Sequence, residues 1–235
     1  MNKIYFPSLL APLLLTFYSC KKDTPNSWSG IYKTANTLQV DPPRMYTSSG
    51  VITDAQLIKD FLARDLIRFT GARDTGFLFN QSTEVNNLPL DIKINDDTAY
   101  VTSYYAGQGM TVKYLPRPAS ATELVLQRTD TTVVYTYNTP LSFQKSLDLS
   151  YYLEKNNTAP IDYSNPYLAR FRLSTTLLQQ EGKIIVPVVR THTHLPTEIS
   201  WYNNAWVYLN TGITSHLQPD DTLVVQTKWL QLVKQ

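Results

Sequence analysis

A single cysteine, Cys20, is present in a chain of 235 residues, so neither an intramolecular disulfide nor a thiolate metal cluster can form. Charge of either sign is scarce. Twenty-one basic residues against nineteen acidic ones leave a formal net charge of +2, which gives no electrostatic footprint for nucleic acid or for an acidic lipid surface. No apolar run is long enough to span a bilayer as a helix, which takes ~20 residues. The stretch Ile4 to Tyr18 falls short of that and is broken by Pro7 and Pro12. The sequence has no nucleophile elbow, no phosphate loop and no His-Glu-x-x-His pair, so the commonest hydrolase and nucleotide signatures are missing. Tyrosine, by contrast, is abundant: sixteen residues, beside four tryptophans and only eight glycines. Aromatic enrichment of this kind favours strands over helices.

The amino terminus has the layout of an export signal. Met1-Asn2-Lys3 supplies a positive start, Ile4 to Tyr18 an apolar core, and Ser19 a small residue before the cut. Leu15-Thr16-Phe17-Tyr18-Ser19-Cys20 resembles the end of a bacterial type II signal peptide, and Ser19-Cys20 followed by Lys21-Lys22-Asp23 is similar to the start of Bacteroidetes lipoproteins. Phe17 and Tyr18 are bulkier than that pattern usually allows. The resemblance implies a signal peptide over 1–19, removed before Cys20 takes a palmitate-bearing lipid and becomes the first mature residue. It also implies a cell-envelope location, expected at the outer membrane, on a face the sequence does not specify. A lipid-bound Cys20 would not be available as a nucleophile. The alternative is a plain secreted protein cut nearby. Asp97-Thr98-Ala99, Asp130-Thr131-Thr132 and Asp221-Thr222-Leu223 each resemble the acceptor pattern for O-glycosylation of exported Bacteroidetes proteins.

Residues 20–27 are polar, contain Pro25 and read as a tether, with a single β-rich domain expected over 28–235. The expected fold class is all-β, mostly antiparallel: a barrel or sandwich of about 10–12 strands with one amphipathic covering helix near residues 54–69. That helix has Thr53 and Gln56 in a capping-box arrangement, then Leu57, Ile58, Phe61, Leu62, Leu66 and Phe69 at helical spacing, then Gly71 as a stop. The strands are separated by turn clusters such as Asn95-Asp96-Asp97. A segment rich in Asn, Pro and Ser marks a candidate subdomain seam within 139–167. Trp28-Ser29-Gly30-Ile31-Tyr32-Lys33-Thr34 is similar to the opening strand of lipocalin-like barrels, whose early tryptophan closes the barrel floor, although here the glycine follows the tryptophan.

The sharpest local pattern is Arg190-Thr191-His192-Thr193-His194, because alternate residues of a strand project to one side. A two-residue turn at Glu181-Gly182 would place His192 opposite Phe171 and set Arg190, His192 and His194 on the buried face, where an apolar interior meets an open end, while a three-residue turn would set Arg190 and His192 opposite Arg172 and Arg170 on a solvated face. Two imidazoles on one face are also weak candidates for a metal site, with His216 as the one remaining histidine. The paired aspartates Asp96-Asp97 and Asp220-Asp221 suit turns better than calcium. Aromatic doublets, Tyr104-Tyr105, Tyr151-Tyr152 and Trp201-Tyr202, present rings that pair across strands or stack on a glycan.

The functional expectation is a lipid-anchored envelope binding protein with no catalytic residue and no cofactor. Its candidate ligand residues are Arg190, His192, His194, Phe171, Tyr104 and Trp201, and its ligand is a glycan, a small apolar molecule or an envelope protein. One alternative is a metal-assisted hydrolase built on His192 and His194. Another is an accessory subunit of an outer-membrane complex.

Overall fold

Period-two alternation of apolar and polar residues sets the main architecture, as in Leu90-Asp91-Ile92-Lys93-Ile94, whose leucine and isoleucines are buried while Lys93 faces solvent. The computed structural model describes residues 28–70, 89–105, 108–135, 141–165, 168–196 and 200–235. Residues 1–27, which hold the expected signal segment, Cys20 and the expected tether, lie outside them. In chain order, β1 (Gly30–Val40), β2 (Arg44–Thr47) and β3 (Gly50–Ile52) precede helix α1 (Ala55–Thr70). The run β4 (Leu90–Ile94), β5 (Ala99–Tyr105), β6 (Gln108–Pro118) and β7 (Glu123–Arg128) follows. Then come β8 (Thr132–Tyr135), helix α2 (Leu141–Tyr152), β9 (Asp162–Asn165) and β10 (Leu168–Phe171). The last elements are β11 (Ser174–Gln180), β12 (Lys183–His194), β13 (Ser200–Ala205), a 3₁₀ helix (Thr211–His216) and β14 (Thr222–Lys234).

Eight antiparallel strands, β1, β4, β5, β6, β7, β11, β12 and β14, close into a barrel in which each pairs with the next and β14 returns to β1. This settles the choice between barrel and sandwich. A barrel of eight strands has an interior just wide enough for side chains to fill. Here Leu90, Ile92, Ile94, Leu124, Leu126 and Leu230 fill it, with Trp28 and Tyr32 in the same cluster. The Tyr32 hydroxyl donates to the Trp28 carbonyl at 2.9 Å, which satisfies a buried polar group at the start of β1.

The β11–β12 hairpin turns on two residues, with Gln180 paired to Lys183. Glu181 and Gly182 both take positive φ, 49° and 76°, as such a tight turn demands. Beyond Ile185 the two strands part, and from Val189 to His194 the neighbour of β12 on that side is β13. Pro187, with no N–H to offer, stands in the stretch between, where β12 is paired only with β14. The upper halves of β12 and β14 therefore leave the barrel and join β13, β2 and β3 in a sheet extension. One face of this extension continues the barrel's inner wall and packs on α1 through Met45, Ile58, Leu62 and Val224. The opposite face packs on α2 and the 3₁₀ helix through Tyr46, Leu149, Leu153, Ile213, Leu223 and Val225. A separate sheet of β8, β10 and β9 lies against α2 through Tyr151, Ile161 and Phe171.

Several local expectations change. The cap of α1 is Asp54, whose Oδ1 accepts the N–H groups of Gln56 and Leu57 at 2.9 and 3.0 Å, while the Gln56 amide turns forward to Asp60. Aspartate outcompetes threonine here because its carboxylate reaches two orphan donors at once. Leu57 is exposed, so the buried stripe of α1 runs through Ile58 and Leu62. Helix α2 was not anticipated, and it places Tyr151 and Tyr152 on a helix instead of a strand. Because β11 leaves β12, the partners of His192 are Tyr202 and Val224, and Phe171 sits on β10 in the smaller sheet.

Candidate functional site

Arg190, His192 and His194 do share a face of β12, the one that continues the barrel interior through Val186 and Val188. They meet α1 there. Asp65, 6% exposed, reaches down from the helix so that its Oδ2 pairs with His192 Nε2 and its Oδ1 with His194 Nδ1, the latter at 2.7 Å. Phe61 sets its ring edgewise to both imidazoles, with centroids 6.3 and 6.0 Å away. One carboxylate thus grips two rings and fastens the helix to the sheet. Burial pushes the His192 pKa below its ordinary value, Asp65 pulls it back up and His194 lowers it again, so the neutral ring is favoured at neutral pH.

Below this layer the same wall carries Gln226, paired across the ladder with Arg190, and Lys228, two residues further along β14. Both are buried. Desolvation, and then the charge of Arg190, lower the Lys228 pKa.

His216 does not join this cluster. It stacks flat on Tyr152, centroids 4.2 Å apart, on the α2 side of the sheet extension. Tyr104 lies elsewhere again, on β5, half-exposed, with its hydroxyl donating to Asp91 at 2.8 Å. Phe171 packs against Tyr151 in the small sheet. Trp201, on β13, pairs through its backbone with Thr193 of β12. The six ligand residues named from the sequence therefore fall in four places, and the β12 trio is the group brought together.

A second site, not read from the sequence, opens on the outer face of β14. It is a cleft of about 490 Å³ whose lining includes Asp41, Arg44, Tyr46, Lys155, Tyr208 and Trp229. The Trp229 indole donates to Asp41 Oδ2 at 2.8 Å, which fixes the ring against a second lining residue. Tyr208 stands edge-on to Trp229 at 6.4 Å, and Lys155 Nζ lies 4.8 Å from the centre of the tyrosine ring while pairing with Glu123 at 3.0 Å. Behind them the buried Glu154 accepts the Tyr208 N–H at 2.6 Å and holds that segment in place. An adjoining cleft of about 630 Å³ shares Trp229 and adds Gln39, Gln180, Lys183 and Gln231.

No known family model, curated protein or solved structure matches this chain. In the outer cleft, fixed aromatic rings, two cations, one carboxylate and nearby amides form a recognition surface in which a flat apolar face and a polar edge can both be met.

Three residues of the wall between β12, β14 and α1 carry a signal in the sequence. Asp65 follows Ile58 and Leu62 at helical spacing, an acid on an apolar stripe. Gln226 and Lys228 alternate with Leu230 and Leu232 on the inward side of β14, polar residues at core positions.

Proposed function

We propose that this protein is a lipid-anchored cell-envelope binding module that holds a glycan on its outer face, at Trp229. The observation that carries the proposal is the pairing of indole and phenol rings with Arg44, Lys155 and Asp41 in an open cleft. Sugars are recognised in this way, by ring faces against apolar C–H surfaces and by a charged or amide rim against hydroxyls. Packing of the barrel interior argues against carriage of a bulky apolar ligand inside it. The hydrolase alternative has lost support. Its third histidine lies across the sheet, and the nitrogens that face Asp65 are already spent on that carboxylate.

Binding to a glycan array, followed by calorimetry on the hits, tests the proposal. Trp229→Ala is expected to weaken the best ligand about tenfold or more, with far-UV dichroism unchanged. A variant with full affinity would move the site elsewhere.

The envelope assignment rests on Cys20 and has its own test. Labelled palmitate should enter the wild type, and Cys20→Ala should shift the protein from the membrane to the soluble fraction. Identical fractionation of the two would remove the anchor.

A further inference from the structure

The outer cleft does not end at Trp229. That indole lines both the cleft of about 490 Å³ and the adjoining one of about 630 Å³, so the two hollows meet at one ring. Val225, Thr227, Trp229 and Gln231 stand at alternate positions of β14, and since alternate residues of a strand project to one side, these four form a single floor. From Val225 to Gln231 the floor runs about 20 Å, the length of roughly four linked pyranose rings. A single sugar would cover only one hollow.

The backbone of this floor is already taken. β14 pairs with β12 along one edge and with β2 and β1 along the other, so an extended peptide finds no open row of N–H and C=O groups to join. Recognition must come from side chains. Their charges balance: Asp41 stands with Arg44 in the first hollow, Glu181 with Lys183 in the second, and Lys155 is paired to Glu123 at 3.0 Å. A charged chain is therefore offered no surplus of the opposite sign. Gln39, Gln180 and Gln231 add amides to the second hollow, and an amide, like a sugar hydroxyl, both donates and accepts.

We infer, resting on the glycan reading of this face, that the ligand is a linear, neutral oligosaccharide of about four units lying along β14, with an inner ring on Trp229. One end meets Tyr208 and Asn210, and the other meets the three amides.

Calorimetry on the full-length protein with cello-, xylo- and malto-oligosaccharides of one to six units tests the inference. In the series that binds, the four-unit chain is expected to bind about tenfold tighter than the two-unit chain through added hydrogen bonds, with little further gain beyond it. Gln180→Ala combined with Gln231→Ala should bring that ratio close to one. Trp229→Ala should weaken short and long chains alike. Oligogalacturonate, an acidic chain of the same length, should bind no better than the neutral one. Binding of short sugars that depends on Trp229 but gains nothing with length would overturn the extended site and leave the glycan reading standing. Preference for the acidic chain would overturn the neutral assignment, and absence of binding in every series would overturn both readings.

Discussion

Replacing Glu154 by alanine is expected to cost the fold about 3–5 kcal/mol, because one buried carboxylate satisfies donors from three separate segments. Oε2 accepts from the Tyr208 N–H, and Oε1 accepts from the Asn156 N–H at 3.2 Å and the Thr176 hydroxyl at 2.9 Å. The loop after α2, the outer face of β11 and the strand-like run at 208 to 210 are thereby joined. Lys155 N–H to the Tyr208 carbonyl and Asn210 N–H to the Leu153 carbonyl, both 2.8 Å, depend on the same registration. Tyr208 and Lys155 also line the outer cleft, so affinity there should fall with stability. The pH dependence gives a sharper signature. Burial raises the Glu154 pKa from 4.5 to about 7, against the pull of its donors. The folded carboxyl keeps a proton that the unfolded chain releases above pH 4.5, so this group's contribution to stability is full below that pH. It is lost as pH rises through about 7, by about 3 kcal/mol in all. Urea denaturation at pH 5 and pH 8 should show a wild-type slope from which Glu154→Gln, having no proton to lose, departs by about that amount. Equal slopes in the two proteins would show that the carboxyl does not titrate in this range.

Much of the barrel was legible because its strands obey a period of two and its turns use ordinary turn residues, as at Asn95 to Asp97 and Glu181-Gly182. Helix α2 was hidden by its own packing. Leu147, Leu149 and Tyr151 alternate like a strand, yet Leu147 and Tyr151 face the small-sheet cluster while Leu149 and Leu153 face the sheet extension. A helix buried on two sides loses the single stripe by which helices are recognised. The same limit applies to the sites. Alternation alone placed Arg190, His192 and His194 on one wall, since that depends only on strand geometry. The outer cleft depends on tertiary proximity among Asp41, Lys155, Tyr208 and Trp229, which no local period encodes. Charge at core positions was the readable clue, and both Asp65 and Lys228 carried it.

Asp65→Ala should remove about 3 kcal/mol and make the protein acid-labile, because the carboxylate both anchors α1 and supports the His192 imidazole. Without it the buried His192 and the partly exposed His194 both lose their acceptor, and the helix keeps chiefly its apolar grip through Ile58 and Leu62. In the wild type burial holds the folded His192 pKa below the ordinary histidine value of 6.5, so the folded ring refuses a proton that the unfolded chain accepts. The stability tied to this group is therefore complete above about pH 6.5 and declines as pH falls below it. Asp65 is what holds the folded value up against burial and against His194. Removing it drops that value further, which widens the window of loss and steepens the fall in Tm between pH 6.5 and pH 5. His192→Gln should flatten the same profile. Amide exchange separates this local effect from a global one: α1 should lose protection in Asp65→Ala well before the barrel strands do. Uniform loss across barrel and helix would mean that the carboxylate supports the whole fold. Exchange confined to α1 would identify that helix as the removable cover of the wall that carries Arg190, Gln226 and Lys228.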